Sequence, residues 1–191
     1  GLTARETGVT ISILAKDGSR ERALTLADRT EGEIRKRLGD AVYGVDGQTM
    51  EEITGALLRQ RKLTLAVAES CTGGLISGRI TNKAGSSDYF ERGVVTYSNE
   101  SKNELLGVPA ELIASHGAVS REVAVAMASG IRERARANLG LAVTGIAGPG
   151  GGTSEKPVGL VFIGFATADE VKTEELRFLG DRDQIRQRTV Q

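Results

Sequence analysis

The stretch from Leu63 to Gly74 limits what this chain can fold into more than any other. An apolar run, Leu63-Thr64-Leu65-Ala66-Val67-Ala68, passes directly into Glu69-Ser70-Cys71-Thr72-Gly73-Gly74, and Leu75, Ile76, Arg79 and Ile80 follow at helical spacing. The pattern predicts strand, polar loop and helix. Hydroxyls, a thiol and backbone N–H groups at a helix start suit an anion. The glycines are adjacent and no Gly-Lys-Ser/Thr follows, so neither a Walker loop nor a GxGxxG fingerprint fits. An ordinary βα turn explains the stretch equally well.

Of 191 residues, 39% are hydrophobic and only 4% aromatic, which predicts a core of Ala, Val, Leu and Ile in one α/β domain plus a smaller module. Lys and Arg total 25, as do Asp and Glu, so no global field would hold a polyanion and nucleic acid is not favoured as a partner. No apolar run approaches the roughly 18–20 residues of a membrane helix, and no membrane partner is expected. Cys71 is the single cysteine, which excludes an intrachain disulfide. A cytoplasmic setting is the expectation.

In chain order, Val9 to Leu14 alternates as a strand, Asp17-Gly18 turns, and Ser19 caps a helix with an inner stripe of Ala23, Ala27, Thr30, Ile34 and Leu38, stopped by Gly39. Ala41-Val42-Tyr43 would be a second strand, giving a small β-α-β module over 1–46. The main domain would be 47–191. It opens with a capping box, Thr49 and Glu52, and a helix through Leu58. Gly93 to Ser98 reads as a strand, Asn99 to Leu106 as a short helix closed by Gly107, and Arg121 to about Asn138 as a helix capped by Ser120. Leu141-Ala142-Val143 is a buried strand that runs into a second glycine-rich mouth, Thr144 to Thr153. Val158–Thr167 and Val171–Leu179 form an antiparallel hairpin, and Gly180-Asp181-Arg182-Asp183 opens a last helix. The fold class is therefore α/β, three layers around a largely parallel sheet with an antiparallel hairpin. Both glycine-rich loops fall at strand carboxyl ends, where such sheets bind ligands.

With His116 the one histidine and Cys71 the one cysteine, a His/Cys metal site has little support, and neither metal nor cofactor is expected. No nucleophile elbow supports a triad built on His116. A serine activated by lysine remains: Ser70, Ser86 and Ser87 lie in loops, and Lys102 follows a strand that could bring it near them. Cys71 helped by Glu69 and Lys102 is the alternative nucleophile. Tyr97 could orient a serine or stack on a ring.

Taken together, Ala68-Glu69-Ser70-Cys71-Thr72-Gly73-Gly74, Gly85-Ser86-Ser87, Val95-Thr96-Tyr97-Ser98-Asn99-Glu100, Lys102, His116-Gly117-Ala118-Val119-Ser120, Thr144-Gly145-Ile146-Ala147-Gly148-Pro149, Lys156-Pro157-Val158-Gly159 and Gly180-Asp181-Arg182 resemble the CinA family, in the family's order and across most of the chain from Thr49 onward. The resemblance implies that this domain is a nicotinamide-nucleotide amidase, converting nicotinamide mononucleotide and water to nicotinate mononucleotide and ammonia. It likens the segment before Gly44 to the family's small KH-type module. Residues 1 to 43 lack the Gly-x-x-Gly loop of a KH clamp, so RNA binding does not follow. The family's larger amino-terminal domain, associated with ADP-ribose pyrophosphatase activity, is not in this sequence. The chain is expected to be part of a longer protein, and a homodimer is expected.

The resemblance gives the candidates their roles. Ser87 would attack the carboxamide carbon and Lys102 would take its proton, with Tyr97 and Ser70 completing the polar shell. Thr72 and Gly73 would contact substrate. Thr144, Gly145 and Arg182 would meet the ribose phosphate, Arg because its planar fork can make two bonds at once.

Overall fold

The computed structural model describes residues 1–5 and 8–191. They divide into two units, Gly1–Ile53 and Thr54–Gln191. In the first, β1 (Leu2–Arg5) pairs antiparallel with β2 (Gly8–Ile11), and α1 (Arg20–Leu38) follows. Ser19 caps α1 by accepting the Arg22 N–H at 3.2 Å, and Gly39, at φ +54°, ends it. The module is thus β-β-α rather than the β-α-β expected. Gly39–Ala41 is a 3₁₀ turn, with the Val42 N–H on the Gly39 carbonyl at 3.1 Å. The physical reason is local: two segments close in sequence pair at little entropic cost, and β2 finds its partner in β1.

Helix α2 (Met50–Arg61) starts in the first unit and ends in the second. Its start is the reciprocal pair foreseen, the Thr49 N–H on a Glu52 carboxylate oxygen at 2.9 Å and the Glu52 N–H on the Thr49 hydroxyl at 3.4 Å. Then come β3 (Leu65–Glu69), α3 (Leu75–Thr81), β4 (Phe90–Val95), α4 (Asn99–Leu106), α5 (Ala110–His116), α6 (Arg121–Ala135), β5 (Leu139–Gly145), β6 (Leu160–Ala166), β7 (Val171–Arg177) and α7 (Arg182–Val190). The sheet runs in the order β4-β3-β5-β6-β7, with β3 parallel to both its neighbours and β6 antiparallel to both of its own. Strand β6 therefore runs against the other four.

Alternation along the strands decides what packs where. Leu65, Val67, Val143 and Val161 face Leu58 of α2, Ile76 of α3 and Ile185 of α7. Ala66, Ala68, Ala142 and Ala166 face Leu106 of α4, Ile113 of α5, and Val123, Met127 and Ile131 of α6. Three layers result. The second face is built from small residues so that α6 can lie close: a Cβ at Gly140 would run into the Ala128 carbonyl, and one at Gly164 into the Ala124 carbonyl. Among the described residues no helix is long and apolar enough to cross a membrane.

Candidate active site

The carboxyl ends of β3, β4 and β5 share one edge of the sheet, because these three strands are parallel neighbours. Ser70 is the first residue beyond β3. Its N–H donates to the Val143 carbonyl at 3.0 Å, and its carbonyl accepts the Gly73 N–H at 3.1 Å, so the chain turns at once. Gly73 and Gly74, at φ +60° and +99°, supply the left-handed backbone that this turn needs. The anion foreseen at the start of α3 is the protein's own. The buried Glu69 carboxylate accepts the N–H groups of Gly74 (3.0 Å), Ile76 (3.0 Å) and Ser77 (2.8 Å) and the Ser77 hydroxyl (2.7 Å).

Lys102 comes to the same edge from β4. Ser98 caps α4 by accepting the Ser101 N–H at 3.0 Å, and Lys102 lies in the first turns of that helix. The side chain turns inward and is 1% exposed. Its Nζ lies 3.2 Å from Ser70 Oγ, 2.8 Å from the Thr96 carbonyl and 3.4 Å from those of Tyr97 and Ser98. Burial lowers the lysine from its ordinary value, with the Cys71 thiol acting in the opposite sense. A neutral amine keeps two N–H donors for carbonyls and turns its lone pair to Ser70, whose hydroxyl can then donate to it.

The second mouth is held by α7 and by Lys156. Arg182 donates to the Gly148 carbonyl at 2.7 Å and to the Tyr97 hydroxyl at 2.8 Å, joining the β5 loop to the β4 end. One turn on, Arg186 donates to the carbonyls of Cys71 and Thr72 at 3.2 and 3.0 Å. Lys156 donates to the carbonyls of His116 and Val119. Asp181 makes this possible by starting α7 with a capping box to Gln184. Two surface hollows lie elsewhere, one of about 460 Å³ between the β1–β2 hairpin and α1, and one of about 250 Å³ beside the β6–β7 turn.

Several expected site residues have other placements. Ser87 is not beside Lys102. It is exposed in a 3₁₀ turn, Ser86–Asp88, that precedes β4, whereas Lys102 follows β4. A strand of six residues puts the two at opposite ends of the sheet, about 17 Å apart along the strand alone. The serine that meets the lysine is Ser70. Thr144 is buried and its hydroxyl donates to the Ala118 carbonyl at 2.8 Å, so it joins the β5 end to the loop before α6. Gly145 serves close packing, since a Cβ there would lie 2.8 Å from Val161 and 3.1 Å from Cys71 Sγ. Thr72 is buried with its hydroxyl unpartnered, and Gly73 is exposed at the loop tip. Tyr97 is 60% exposed and Arg182 is exposed beside it.

Cys71 sits in the core with Val67, Ile76 and Val143, and burial pushes its thiol up to about 11. A thiol so placed is a poor nucleophile at neutral pH. His116 ends α5 at the surface, 3.5 Å from Glu122. Among the described residues no three His, Cys, Asp or Glu side chains gather as metal ligands would. Sequence reasoning missed Arg186, and it placed Lys156 in a family string without giving it a role. Arg186 had a signal, since it stands four residues after Arg182 and so on the same helix face.

The comparisons agree on a family. Residues 47–191 match the CinA C-terminal domain, and residues 1–44 match the KH domain of damage-inducible protein CinA. The chain belongs to the CinA family. A competence-damage inducible protein of Moorella thermoacetica is 51% identical over 183 residues, which cover 96% of this chain and 44% of that protein. One from Clostridium acetobutylicum is 50% identical over 187 residues, covering 98% and 46%. The CinA chain here therefore spans less than half the length of these relatives. Among solved structures, the competence/damage inducible protein CihA of Agrobacterium tumefaciens superposes with a TM-score of 0.72 at 46% identity, covering 73% of this chain and 86% of its own. A CinA superfamily protein of Escherichia coli gives 0.71 at 33% identity, covering 78% and 88%.

Proposed function

We propose that this domain is a serine–lysine amidohydrolase that cleaves the carboxamide of nicotinamide mononucleotide. The observation that carries the reading is Ser70 Oγ at 3.2 Å from the buried Lys102 Nζ. Hydrogen-bond contact between a nucleophile and a base held by further partners is the arrangement that activates a hydroxyl. The choice of amide rests on the resemblance to nicotinamide-nucleotide amidases carried by the strings around Ser70, Tyr97 and Thr144.

In the reaction, Ser70 Oγ bonds to the carboxamide carbon as its proton passes to Lys102. The tetrahedral oxyanion then collapses, the C–N bond breaks, and the lysine proton leaves with the nitrogen as ammonia. Water attacks the acyl ester, giving its proton to Lys102, and nicotinate mononucleotide departs as Ser70 recovers the proton. The pyridinium charge of the substrate makes the carbonyl carbon more electrophilic. Tyr97 offers a ring face for the pyridine, and Arg182 a guanidinium for the phosphate. Arg182 is held by neutral acceptors, the Gly148 carbonyl and the Tyr97 hydroxyl, and both can be exchanged for an anion.

The test is a coupled ammonia assay on nicotinamide mononucleotide, with nicotinamide and nicotinamide riboside alongside. Release from the mononucleotide, abolished by Ser70→Ala, is expected. Calorimetric binding with no ammonia would leave a nucleotide-binding module and refute the amidase. Release from the riboside at equal kcat/KM would remove Arg182 from phosphate recognition.

A further inference from the structure

Glu69 stands next to the nucleophile and has no part in the chemistry above, yet it is among the most completely buried side chains of the fold. Its carboxylate is fully engaged: one oxygen takes the amides of Gly74 and Ile76, the other the amide and hydroxyl of Ser77. The bond to Gly74 closes a ring over Ser70, Cys71, Thr72 and Gly73. The backbone of the same residue reaches the other half of the pair. Its carbonyl accepts the Thr96 N–H at 2.8 Å, and the Thr96 carbonyl accepts Lys102 Nζ at 2.8 Å.

We propose that Glu69 is a positioning residue, whose ionised carboxylate clamps the Ser70 loop to the start of α3 and thereby sets the distance between Ser70 and Lys102. The proposal rests on the serine–lysine reading. A carboxylate is required because both oxygens must accept. In a glutamine of the same size the amide nitrogen would face a backbone N–H whichever way the group turned, although the Ser77 hydroxyl could reverse and accept from it. At least one of the three backbone bonds would then be lost, the clamp would loosen, and Ser70 would sample positions out of reach of the amine. A displacement of an ångström is enough to cost about 100-fold in a positioned reaction.

The experiment measures reaction of Ser70 with phenylmethanesulfonyl fluoride by intact-mass and peptide mass spectrometry, so that it does not depend on the natural substrate. The serine oxygen displaces fluoride at sulfur, and its proton passes to Lys102. Wild type should label at Ser70 and Ser70→Ala should not. Glu69→Gln should label at least tenfold more slowly, with its far-UV spectrum unchanged. Hydrogen exchange at the Ser77 amide, or at those of Gly74 and Ile76 if the glutamine turns the other way, should be at least tenfold faster than in wild type, while the Ala142 amide keeps its protection. Ser77→Ala, which removes one of the four donors and keeps the backbone, should slow labelling two- to fivefold, and it decides the matter if Glu69→Gln does not fold. Wild-type labelling rates in a folded Glu69→Gln, or in Ser77→Ala where the first variant fails, would overturn the positioning role. Failure of the wild type to label at Ser70 would instead overturn the serine–lysine reading.

Discussion

Removing Ser70 and Lys102 singly and together tests whether they act as one unit. Ser70 Oγ has Lys102 Nζ as its hydrogen-bond partner, and the lysine is sealed from water at 1% exposure. His116 cannot substitute as base, since it ends α5 at the surface beside Glu122. General-base contributions run from about a hundredfold to ten thousandfold, so Lys102→Met should lower kcat by about a thousandfold, or about 4 kcal/mol of barrier at 1.36 per tenfold. Ser70→Ala should cost at least as much, and the double variant little more than either. The wild-type rate should rise with pH on its acid limb, because only the neutral amine accepts a proton and burial holds the lysine below its ordinary 10.5. Between the folded value and 10.5 the unfolded chain binds more protons, so wild-type stability also climbs with pH in that window. Lys102→Met lacks this term, and its Tm relative to wild type should fall as pH rises. Steady-state ammonia release and scanning calorimetry from pH 6 to 10 read both. Losses that multiply in the double variant, or near-normal turnover in Ser70→Ala, would refute the paired mechanism.

Ser87→Ala should leave kcat within about twofold of wild type, since an exposed serine before β4 touches neither partner of the pair. Iodoacetamide at pH 7 should alkylate Cys71 very slowly and leave activity intact, because a thiol pushed up to about 11 is ionised to only about one part in ten thousand; rapid inactivation with mass gain at Cys71 would contradict this. Gly140→Ala should destabilise the domain by about 1–3 kcal/mol in urea unfolding, as its Cβ would press on the Ala128 carbonyl under α6. Arg182→Ala should raise KM for the mononucleotide at least tenfold with a smaller change in kcat, and leave the riboside unaffected.

The sheet was legible because strand and helix periods alternate clearly from Leu63 onward, and that alternation admits few topologies besides a parallel core. The β1–β2 hairpin was not, because Leu2–Arg5 offers only four residues of alternation. Helix α5 was not read either: only seven residues lie between Pro109 and Gly117, too few to show a helical period. The choice among the serines is more instructive. Residues that flank the same strand, Ser87 before β4 and Lys102 after it, cannot meet, whereas residues beyond the same end of two parallel neighbours must lie close. Ser70 after β3 and Lys102 after β4 satisfy that condition. The direction of each strand was readable, so the geometry had a signal in the sequence; the pairing of β3 with β4 did not.

The charges around the pair bear on which substrates could be accepted. Glu69 is already engaged by four donors, so its negative charge is spent inside the protein and repels an incoming anion less than a free carboxylate would. Lys102 must be neutral to accept the serine proton, so the base that starts the reaction cannot also attract the substrate by its charge. Attraction falls to the arginines of α7. Arg186 is turned to the Cys71 and Thr72 carbonyls, and its nearest carboxylate, Asp183, lies 3.7 Å away and is largely exposed. Arg182 is exposed beside the 60% exposed Tyr97. On the proposed reading, an anionic group on the substrate would therefore be recognised at the α7 side while its amide lies over Ser70. A neutral nicotinamide would lose that anchor and react with the same groups far less often.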